Sequence, residues 1–576
     1  MGAVLRVWRK IGTFAEMKEQ LKIYCVNIGR YVDIDGGETL AEIADKIGPE
    51  LGLTPVCAHV NNCNQSLSFP VFSPKQVEYL DRRSASGRRV YLRSLVMLLY
   101  KAVKMVAPEA RLKVEHSIAR GLYCRLMYSD GRSMPAPVAL VDRLRDTMHG
   151  LVGKDLPLRR RERLSDDVRE RFRRQDMPDK LRLMQTLHRL YTVFYTLDGV
   201  YDSFPGPLVP STGHLGVFNL VTYKEGMLLL GPDAEDPSRP AEPQEQRKMY
   251  MAFTEYLRFN RVIGVGDVGE LNRAVQQRRT AMLINVAEAL HSKLLGRISD
   301  RIAERGSRIV LLAGPSSSGK TTTAKRLGIQ LMTNMLTPKV ISLDDYFVDR
   351  ERTPRDADGE LDYESLYALD LERLQTDLAA LLRGEEVNLP TYSFELGRRV
   401  DKRKPMRLNP GEVLLIEGIH GLNPELTASL PQQELFKIYV SALTTLSIDD
   451  HNWIPTTDNR LLRRIVRDYK YRHTSALDTI RRWPSVRRGE EKYIFPYQEQ
   501  ADAMFNSALP YELPILKKFV YPMLCRVEPQ SPCYTMARRL VKFLNYIRVS
   551  DAEDEVPINS ILREFIGGCC FYREED

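Results

Sequence analysis

Short apolar runs alternate with longer amphipathic stretches between residues 307 and 527. Each run has the length and aliphatic content of a buried strand, and the stretches between the runs are long enough for helices. This alternation predicts a parallel sheet flanked by helices. The predicted strands are Arg308–Ala313, Val340–Leu343, Val413–Ile416 and Phe436–Val440.

The residues before this region have a different pattern. Residues 232–246 are rich in Pro, Asp and Glu, which is typical of a linker or an exposed loop. From 247 to 305, apolar residues recur at intervals of three and four, which predicts helices with one face in a core. We therefore expect residues 232–306 to be a linker and helical connector. The core-facing stripe comprises Leu283, Ala287, Leu290, Leu294, Ile298 and Ile302.

Two smaller modules are predicted before the linker. Residues 21–80 begin with an alternating strand, Leu21–Val26, and continue with a helix that starts at Thr39. Residues 86–231 contain an amphipathic helix near Leu92–Val106. The chain is therefore expected to be a multidomain α/β protein.

Composition and charge narrow the class of protein. The chain has 576 residues, of which 43% are hydrophobic and 28% charged, and its net charge is +9. This length suits about three or four domains, and the charge permits an anionic substrate or an RNA partner without requiring either. The basic run Arg159–Arg163 is more typical of a solvated helix start than of an RNA site. Residues 528–576 are expected to form a C-terminal helical tail.

Targeting signals and cysteine spacing bear on the cellular compartment. The first residues lack the apolar segment of a signal peptide, and no stretch approaches the ~20 apolar residues of a membrane span. The eight cysteines are scattered without a C-x-x-C pair, which favours reduced thiols. These features predict a cytoplasmic protein that does not enter a membrane, and they leave its oligomeric state open.

A phosphate-binding motif lies near the middle of the chain. Residues 314–321 have the pattern G-x-x-x-x-G-K-[ST], after the strand that ends at Ala313 and before a helix predicted over Thr322–Met332. The glycines let the backbone wrap a polyphosphate, so that N–H groups and a helix N-terminus face its charge. Lys320 can reach the β- and γ-phosphates, and the Thr321 hydroxyl can ligate Mg²⁺. The expected cofactors are ATP and Mg²⁺, bound by Gly314, Pro315, Ser316, Ser317, Ser318, Gly319, Lys320, Thr321 and Thr322.

Acidic residues follow the predicted strands where open α/β sheets bind their ligands. Asp344 and Asp345 follow the strand that ends at Leu343, Glu417 closes another strand, and Asp362 lies in the loop after Asp344. Carboxylates placed there can support a metal ion or accept a hydroxyl proton during phosphoryl transfer. Each acid taken alone is equally consistent with a helix cap or a surface group.

A group of arginines lies on one predicted helix, residues 459–471, and just after it. Guanidinium groups can hold phosphate oxygens with two hydrogen bonds and act from a closing lid. The alternative is a surface helix stabilised by salt bridges. Three of the arginines share a face at i, i+4 and i+7. The full set is Arg460, Arg463, Arg464, Arg467 and Arg472.

The order of five motifs in residues 307–527 resembles the uridine kinase/phosphoribulokinase group of P-loop kinases. The resemblance implies a kinase domain that transfers a phosphoryl group from ATP to the 5′-hydroxyl of a nucleoside. The matching motifs are GPSSSGKT at 314–321, ISLDDYF at 341–347, PTYSF at 390–394, EGI at 417–419 and RRIVRD at 463–468.

The same resemblance implies roles for individual residues. Asp344 would be the base toward the 5′-hydroxyl, and Lys320 and Arg467 would complete the catalytic set. Thr321 and Glu417 would hold Mg²⁺. The implied substrate-binding residues are Asp362 and Arg464 at the ribose, Tyr392 and Phe394 at the base, and Arg472 in the lid.

Two positions depart from the uridine kinase pattern. Gly397 stands where the pattern has a His that reads the pyrimidine, and Thr474 stands where it has a lid arginine. Gly397 removes a side chain that would contact the base edge and leaves room there. The phosphoryl-transfer residues are retained, so the departures concern the choice of base.

The N-terminal modules resemble the opening domains of threonyl-tRNA synthetases. Residues 21–80 are similar to the TGS domain, which is ubiquitin-like and has a β-grasp fold. Residues 86–231 are similar to the α+β editing domain, on the segments 93–99 (RSLVMLL) and 207–213 (PLVPSTG). The synthetase pattern has four metal-type ligands here. This chain has Arg93, Met97, Phe204 and Leu208 instead, which cannot replace that set, so we expect no zinc.

The sequence therefore favours an ATP- and Mg²⁺-dependent kinase acting on a nucleoside-like alcohol. One alternative is an RNA- or ribosome-associated regulatory NTPase. Another keeps the kinase and changes the acceptor to a sugar phosphate or a pantothenate-like alcohol. The retained acid Asp344 and the arginine-rich helix favour the kinase over the NTPase.

Overall fold

A computed structural model describes residues 20–356, 359–393, 395–400 and 404–571. The chain forms two compact units, and each is discontinuous in sequence. The N-terminal unit contains the chain up to Glu245 together with Ile448–Trp453 and Val527–Phe543. The kinase unit, as we name the other for its phosphate loop, contains Gln246–Ser447, Ile454–Arg526 and the residues from Leu544 onward.

The elements up to residue 245 are thirteen strands and five helices in the described part of the chain. The strands are β1 Gln20–Cys25, β2 Arg30–Asp35, β3 Cys57–Val60, β4 Cys63–Gln65, β5 Gln76–Leu80, β6 Arg111–Ile118, β7 Gly121–Met127, β8 Ser133–Met134, β9 Arg159–Leu164, β10 Tyr191–Leu197, β11 Val200–Asp202, β12 Asn219–Tyr223 and β13 Gly226–Leu230. The helices are α1 Leu40–Ile47, α2 Ala85–Val106, α3 Val138–Gly153, α4 Ser165–Arg174 and α5 Pro178–Leu187.

The first module of this unit is a mixed sheet in the order β2-β1-β5-β3-β4. The predicted strand and helix are confirmed, because β1 covers Gln20–Cys25 and α1 starts after Thr39. The Thr39 hydroxyl accepts the Glu42 N–H while the Glu42 carboxylate accepts the Thr39 N–H, so two unpaired helix N–H groups are satisfied reciprocally. The apolar face of α1 is buried with the strands in a separate small core.

The second module packs α2 and α3 with a sheet in the order β12-β13-β7-β6. Three of the four positions that the synthetase comparison singles out, Met97, Phe204 and Leu208, lie in its apolar core. The fourth, Arg93, donates from Nη2 to the Pro207 carbonyl at 3.2 Å. Apolar side chains and a guanidinium are not ligands for zinc.

The basic run Arg159–Arg163 is a strand and not a helix start, so this prediction is wrong. It forms β9 at the edge of a three-stranded sheet, β11-β10-β9, and all of its residues are exposed. The helix begins after it, at Ser165. Because a charged edge strand resists pairing with other chains, the arginines have a structural use in this position.

A buried charge cluster joins two distant stretches within the N-terminal unit. Lys180 Nζ lies 2.7 Å from Asp202 and 3.0 Å from Asp449, and all three side chains are at most 2% exposed. His451 Nδ1 contacts Asp202 at 2.7 Å. Each buried charge therefore has an opposite charge beside it, as burial requires.

The elements from residue 246 onward build the kinase unit, apart from the stretches assigned above. The helices are α6 Arg247–Ile263, α7 Val268–Gln276, α8 Thr280–Arg305, α9 Lys320–Thr333, α10 Leu371–Leu382, α11 Thr456–Arg472, α12 Ala476–Tyr493, α13 Glu512–Cys525, α14 Tyr534–Leu544 and α15 Arg563–Ile566. The strands are β14 Ile309–Ala313, β15 Thr337–Ser342, β16 Val387–Asn388, β17 Thr391–Ser393, β18 Arg398–Val400, β19 Pro405–Met406, β20 Glu412–Glu417, β21 Leu435–Ser441, β22 Ser447–Asp449, β23 Asn452–Trp453 and β24 Ala503–Asn506.

A five-stranded sheet in the order β15-β20-β14-β21-β24 forms the centre of the kinase unit. All four neighbouring pairs are parallel, as the alternating pattern predicts. Helices pack on the sheet in two separate buried clusters, and α8 packs against α9. Strand β24 was not among the predicted strands.

The part of the chain predicted as a helical connector contains α6, α7 and α8. Four members of its apolar stripe are buried, whereas Leu290 and Leu294 are half-buried. No helix in the described ranges is long and apolar enough to cross a membrane.

Candidate active site

The phosphate loop connects the centre strand of the sheet to a helix. Strand β14 is completely buried, and the loop turns through left-handed conformations at Ser317, with φ 58°, and Gly319, with φ 83°. A Cβ at Gly314 would lie 1.9 Å from the carbonyl oxygen of Val440, so only glycine fits beside the neighbouring strand. The predicted helix is confirmed as α9, which begins at Lys320.

Side chains from other elements donate hydrogen bonds to carbonyl oxygens of the loop. Arg460 Nε donates to the Ser316 carbonyl at 2.9 Å, and the Ser507 hydroxyl donates to the Ser318 carbonyl at 2.5 Å. Arg463 is fully buried and pairs with Glu512 at 2.6 Å. Arg460 and Arg463 therefore support the loop from behind, and they are not available as mobile cations of a lid.

Two carboxylates lie at the ends of neighbouring strands. Glu417 ends β20, and it accepts hydrogen bonds from the Ser342 hydroxyl at 3.0 Å and the Thr321 hydroxyl at 3.4 Å. Burial, followed by the charge of Asp344, raises the pKa of Glu417 to about 7. The structure therefore brings the hydroxyl and the carboxylate predicted to hold Mg²⁺ within hydrogen-bond distance.

Asp344 follows β15, and solvent reaches its side chain. Desolvation by the surrounding protein raises the pKa of Asp344, while the positive charges of Lys320 and Arg472 oppose this. Asp345 beside it lies 3.8 Å from the Lys404 ammonium. The charge of Lys320 therefore acts on Asp344.

The remaining arginines of α11 share one carboxylate. Arg464, Arg467 and Arg472 lie 3.2, 3.0 and 3.7 Å from Asp468. Arg464 Nη1 also donates to the Ser316 hydroxyl at 2.7 Å. Three cations around one acid leave positive charge beside the phosphate loop.

The predicted ribose and base contacts are only partly assembled. Asp362 accepts the Glu364 N–H at 3.1 Å, so its carboxylate caps a local turn. Tyr392 is buried with its ring centroid 5.6 Å from that of Phe347. Phe394 lies outside the described residues.

The room expected at Gly397 is already filled. A Cβ at this residue would lie 2.6 Å from Nε of Arg350. The backbone N–H of Arg350 also donates to the Gly397 carbonyl at 2.8 Å. The expectation of empty space there is wrong, because a guanidinium from a neighbouring loop occupies it.

Sequence reasoning missed Glu364. One of its carboxylate oxygens, Oε2, is buried and has no hydrogen-bond partner among the described residues. Burial, followed by the charge of Glu490, raises the pKa of Glu364 to about 7, and the charges of Arg464 and Lys320 oppose this. Its position two residues after Asp362 was the available signal.

Sequence reasoning also missed Glu564 of the C-terminal segment. Its carboxylate accepts hydrogen bonds from the Thr322 hydroxyl at 2.7 Å and the Thr322 N–H at 3.3 Å. These donors lie in the first turn of α9, where a bound phosphate is expected. A protein carboxylate therefore occupies part of the anion-binding surface.

Among the described residues, no group of three or more His, Cys, Asp or Glu side chains is arranged to hold a metal ion. A Mg²⁺ site in a phosphoryl-transfer enzyme needs only one or two carboxylates, because waters and substrate phosphates supply the other ligands. Glu417 and Thr321 offer hard oxygen ligands of the kind that Mg²⁺ prefers. The residues present therefore fit this cofactor.

Comparisons with known proteins divide the chain in the same way as the motifs. A uridine kinase of Brevibacillus brevis is 28% identical over 197 residues, which cover 34% of this chain and 83% of that kinase. A threonine–tRNA ligase of Rubrobacter xylanophilus is 29% identical over 192 residues, in the N-terminal region. That match covers 33% of this chain but only 29% of the ligase, so the chain spans less than a third of its length.

A solved structure of a possible uridine kinase from Bacillus stearothermophilus aligns with 36% of this chain and 98% of that chain, at 19% identity and a TM-score of 0.25. Residues 309–512 match the model of the phosphoribulokinase / uridine kinase family. This segment begins at the first residue of β14 and ends at the first residue of α13, so it contains the loop, both strand-end carboxylates and the arginines of α11. The chain therefore contains a segment that matches the phosphoribulokinase / uridine kinase family model, joined to an N-terminal region similar to threonine–tRNA ligases.

Proposed function

We propose that the protein phosphorylates the 5′-hydroxyl of a nucleoside or a closely similar alcohol, using ATP and Mg²⁺. The observation that carries the proposal is the position of Asp344 and Glu417 at the ends of β15 and β20, two neighbouring strands on one side of β14, next to a complete phosphate loop. The similarity to the Brevibacillus uridine kinase, over most of that enzyme's length, supports the nucleoside acceptor.

The loop would hold the triphosphate through its N–H groups, with Lys320 on the β- and γ-phosphates. Thr321 and Glu417 would hold Mg²⁺, which offsets phosphate charge when bound. Asp344 would accept the proton of the acceptor hydroxyl as its oxygen bonds to the γ-phosphorus and the bond to the ADP oxygen breaks. Arg467 and Arg472 would stabilise the charge on the transferring group.

The acceptor would bind between the strand ends and α11. Glu364, with a buried oxygen available for a hydrogen bond, is better placed than Asp362 to bind a hydroxyl beside Arg464. Tyr392 would border the base. Because Arg350 fills the space at Gly397, base selection by this chain would differ from that of enzymes with a His there.

The proposal also covers the N-terminal unit. We assign residues 21–80 as a TGS-like module with a β-grasp fold and residues 86–231 as an editing-like module without its metal centre. The sheet order with β1 parallel to β5 and the apolar residues at the former ligand positions support these assignments.

The decisive experiment follows ADP release by the purified full chain with ATP, Mg²⁺ and single acceptors. The acceptors are uridine, cytidine, adenosine, guanosine, inosine, ribulose 5-phosphate and pantothenate, and the Lys320→Ala protein gives the background. We expect turnover with at least one nucleoside. Turnover only with ribulose 5-phosphate or pantothenate would refute the nucleoside acceptor and retain the kinase, whereas acceptor-independent ADP release would favour a regulatory NTPase.

A further inference from the structure

A second cationic region lies within the N-terminal unit, in a pocket between α2 and α14. Its walls also include the segment after β11, with Gly206, and Cys63 of β4. None of the described residues that line it is acidic. The cationic members are Arg89, Arg93, Arg538, Arg539 and Lys542.

The cations are held by contacts that fix the walls. The Arg93 guanidinium packs on Gly206, where a Cβ would approach it to 2.6 Å. Arg89 Nη2 donates to the Ser86 hydroxyl at 3.1 Å. The Thr535 hydroxyl of α14 donates to the Asn62 carbonyl at 2.6 Å, which ties this helix to the loop beside Cys63.

Like charges brought together in one pocket oppose one another. Desolvation, followed by the positive charges of Arg538 and Arg93, lowers the pKa of Lys542. An anion bound among these side chains would remove that repulsion and stabilise the folded unit. Arginine donates two parallel hydrogen bonds to phosphate oxygens, which suits it to this ligand.

The size of the cavity restricts the anion. Its volume is about 40 Å³, a few times the ~10–15 Å³ that one buried water requires. A phosphate group fits this space, whereas a whole nucleoside needs a pocket of about 300 Å³ or more. The rest of the ligand must therefore lie outside the cavity.

We propose that this pocket binds the terminal phosphate group of a phosphorylated ligand. The ligand is a phosphate monoester or diphosphate that inserts its dianionic end among the five cations and leaves its remaining atoms at the mouth. A small phosphorylated molecule and the 5′-phosphate of an RNA chain both offer this chemistry. An internal phosphodiester does not, because it carries a single charge and is flanked by sugar on both sides.

The test uses Cys63, a free cysteine of the pocket wall, as a local reporter. The full chain is labelled with iodoacetamide in increasing pyrophosphate, and the labelling rates of Cys63 and of the exposed Cys525 are measured by peptide mass spectrometry. We expect pyrophosphate to slow labelling of Cys63 at least threefold without changing Cys525. The Lys320→Ala protein should show the same protection, which separates this pocket from the phosphate loop.

Two variants and two RNA probes complete the test. In the double variant Arg538→Gln/Lys542→Gln, the pyrophosphate concentration for half-protection should rise about tenfold, while Arg132→Gln, an exposed charge elsewhere in the unit, should leave it unchanged. Protection by 5′-phosphorylated RNA and not by its 5′-hydroxyl counterpart would identify an RNA end as a source. Equal protection by both RNAs without any by pyrophosphate, or no protection by any probe, would overturn the proposal.

Discussion

The candidate active site and the N-terminal pocket both gather cations, but they differ in their carboxylates. In the candidate active site, Lys320 and the arginines of α11 lie with Asp344, Glu417, Glu364 and Asp468, whereas none of the described residues that line the N-terminal pocket is acidic. Chemistry on a phosphate requires a proton acceptor and metal ligands as well as cations. Binding a phosphate requires only the cations. The difference therefore fits the two proposals, catalysis in the first region and phosphate binding in the second.

Burial and neighbouring charges shift pKa values upward in one region and downward in the other. In the candidate active site, burial and neighbouring carboxylates raise the pKa values of Glu417 and Glu364 to about 7. In the pocket, desolvation and neighbouring cations lower the pKa of Lys542. An added positive charge would oppose the first shift, and an added anion would oppose the second.

Removing the cation of the loop should have the largest effect. We expect Lys320→Ala to lower kcat by about 10³- to 10⁵-fold, because the charge on the γ-phosphate loses its partner. Lys325→Ala, an exposed lysine on the same helix, is the matched control and should retain activity. Near-normal turnover by a folded Lys320→Ala protein would contradict the ATP site.

Removing the proton acceptor should come next. Asp344→Asn keeps the shape of the side chain but cannot take a proton, so we expect kcat to fall about 10²- to 10⁴-fold. Affinity for ATP, measured by calorimetry, should change little. Asp345→Asn is the control, and greater damage from this neighbour would move the base by one residue.

The two candidate acids for the acceptor can be separated directly. Glu364→Gln should raise the KM for the acceptor about tenfold, the effect of losing one hydrogen bond to a charged group of about 1.4 kcal/mol. Asp362→Asn should change it less than threefold, since that carboxylate caps a turn. The reverse order, in proteins of equal thermal stability, would restore Asp362 as the substrate-binding residue.

The raised pKa of Glu417 predicts a pH dependence. Its carboxyl keeps its proton below about pH 7, and Mg²⁺ needs the deprotonated form, so apparent Mg²⁺ affinity should fall toward about tenfold per pH unit below 7 and level off above it. Mg²⁺ titrations of activity between pH 5.5 and 8.5 measure this. The Glu417→Gln protein should need more Mg²⁺ and should lose the part of the pH dependence that comes from Glu417. Protonation of ATP contributes equally to both proteins. Equal slopes in the two would exclude Glu417.

The smallest effect is expected from chelation at the N-terminal unit. Met97, Phe204 and Leu208 lie in an apolar core, so we expect no zinc in the purified protein and no change in its melting temperature with EDTA in the absence of ATP. Elemental analysis and calorimetry measure both. About one zinc per chain, lost on changing Arg93, would contradict this prediction and show that the N-terminal unit binds a metal.

The sequence predicted the regular parts of the kinase unit well. Strands β14, β20 and β21 are almost entirely buried, so local hydrophobic pattern and tertiary environment agree there. The phosphate loop was predictable for a similar reason, because Gly314 and Gly319 meet backbone constraints that a motif records directly.

The predictions were wrong where contacts between residues distant in sequence determine the local structure. A run of four arginines and one glutamate shows no strand alternation, and pairing with β10 alone makes it β9. Gly397 suggested space, but Arg350, 47 residues earlier, fills it. Glu564 is more than 240 residues from Thr322, with which it bonds. The spacing of residues within one segment does not predict partners that lie so far away in the sequence.

The N-terminal unit is built from three separate stretches of the chain, and this affects how it folds during synthesis. Two of its buried partners, Asp449 and His451, are synthesised about 200 residues after the linker, and α14 follows later still. At ~5–20 residues per second, a ribosome needs roughly 15 to 60 s to pass from residue 245 to residue 543. Until residue 449 has been made, Lys180 has only Asp202 as a partner of the final cluster, and the unit cannot finish folding before α14 is complete. A stable isolated unit therefore has to be produced by joining its three stretches with linkers, because cutting the chain at 245 removes part of its interior.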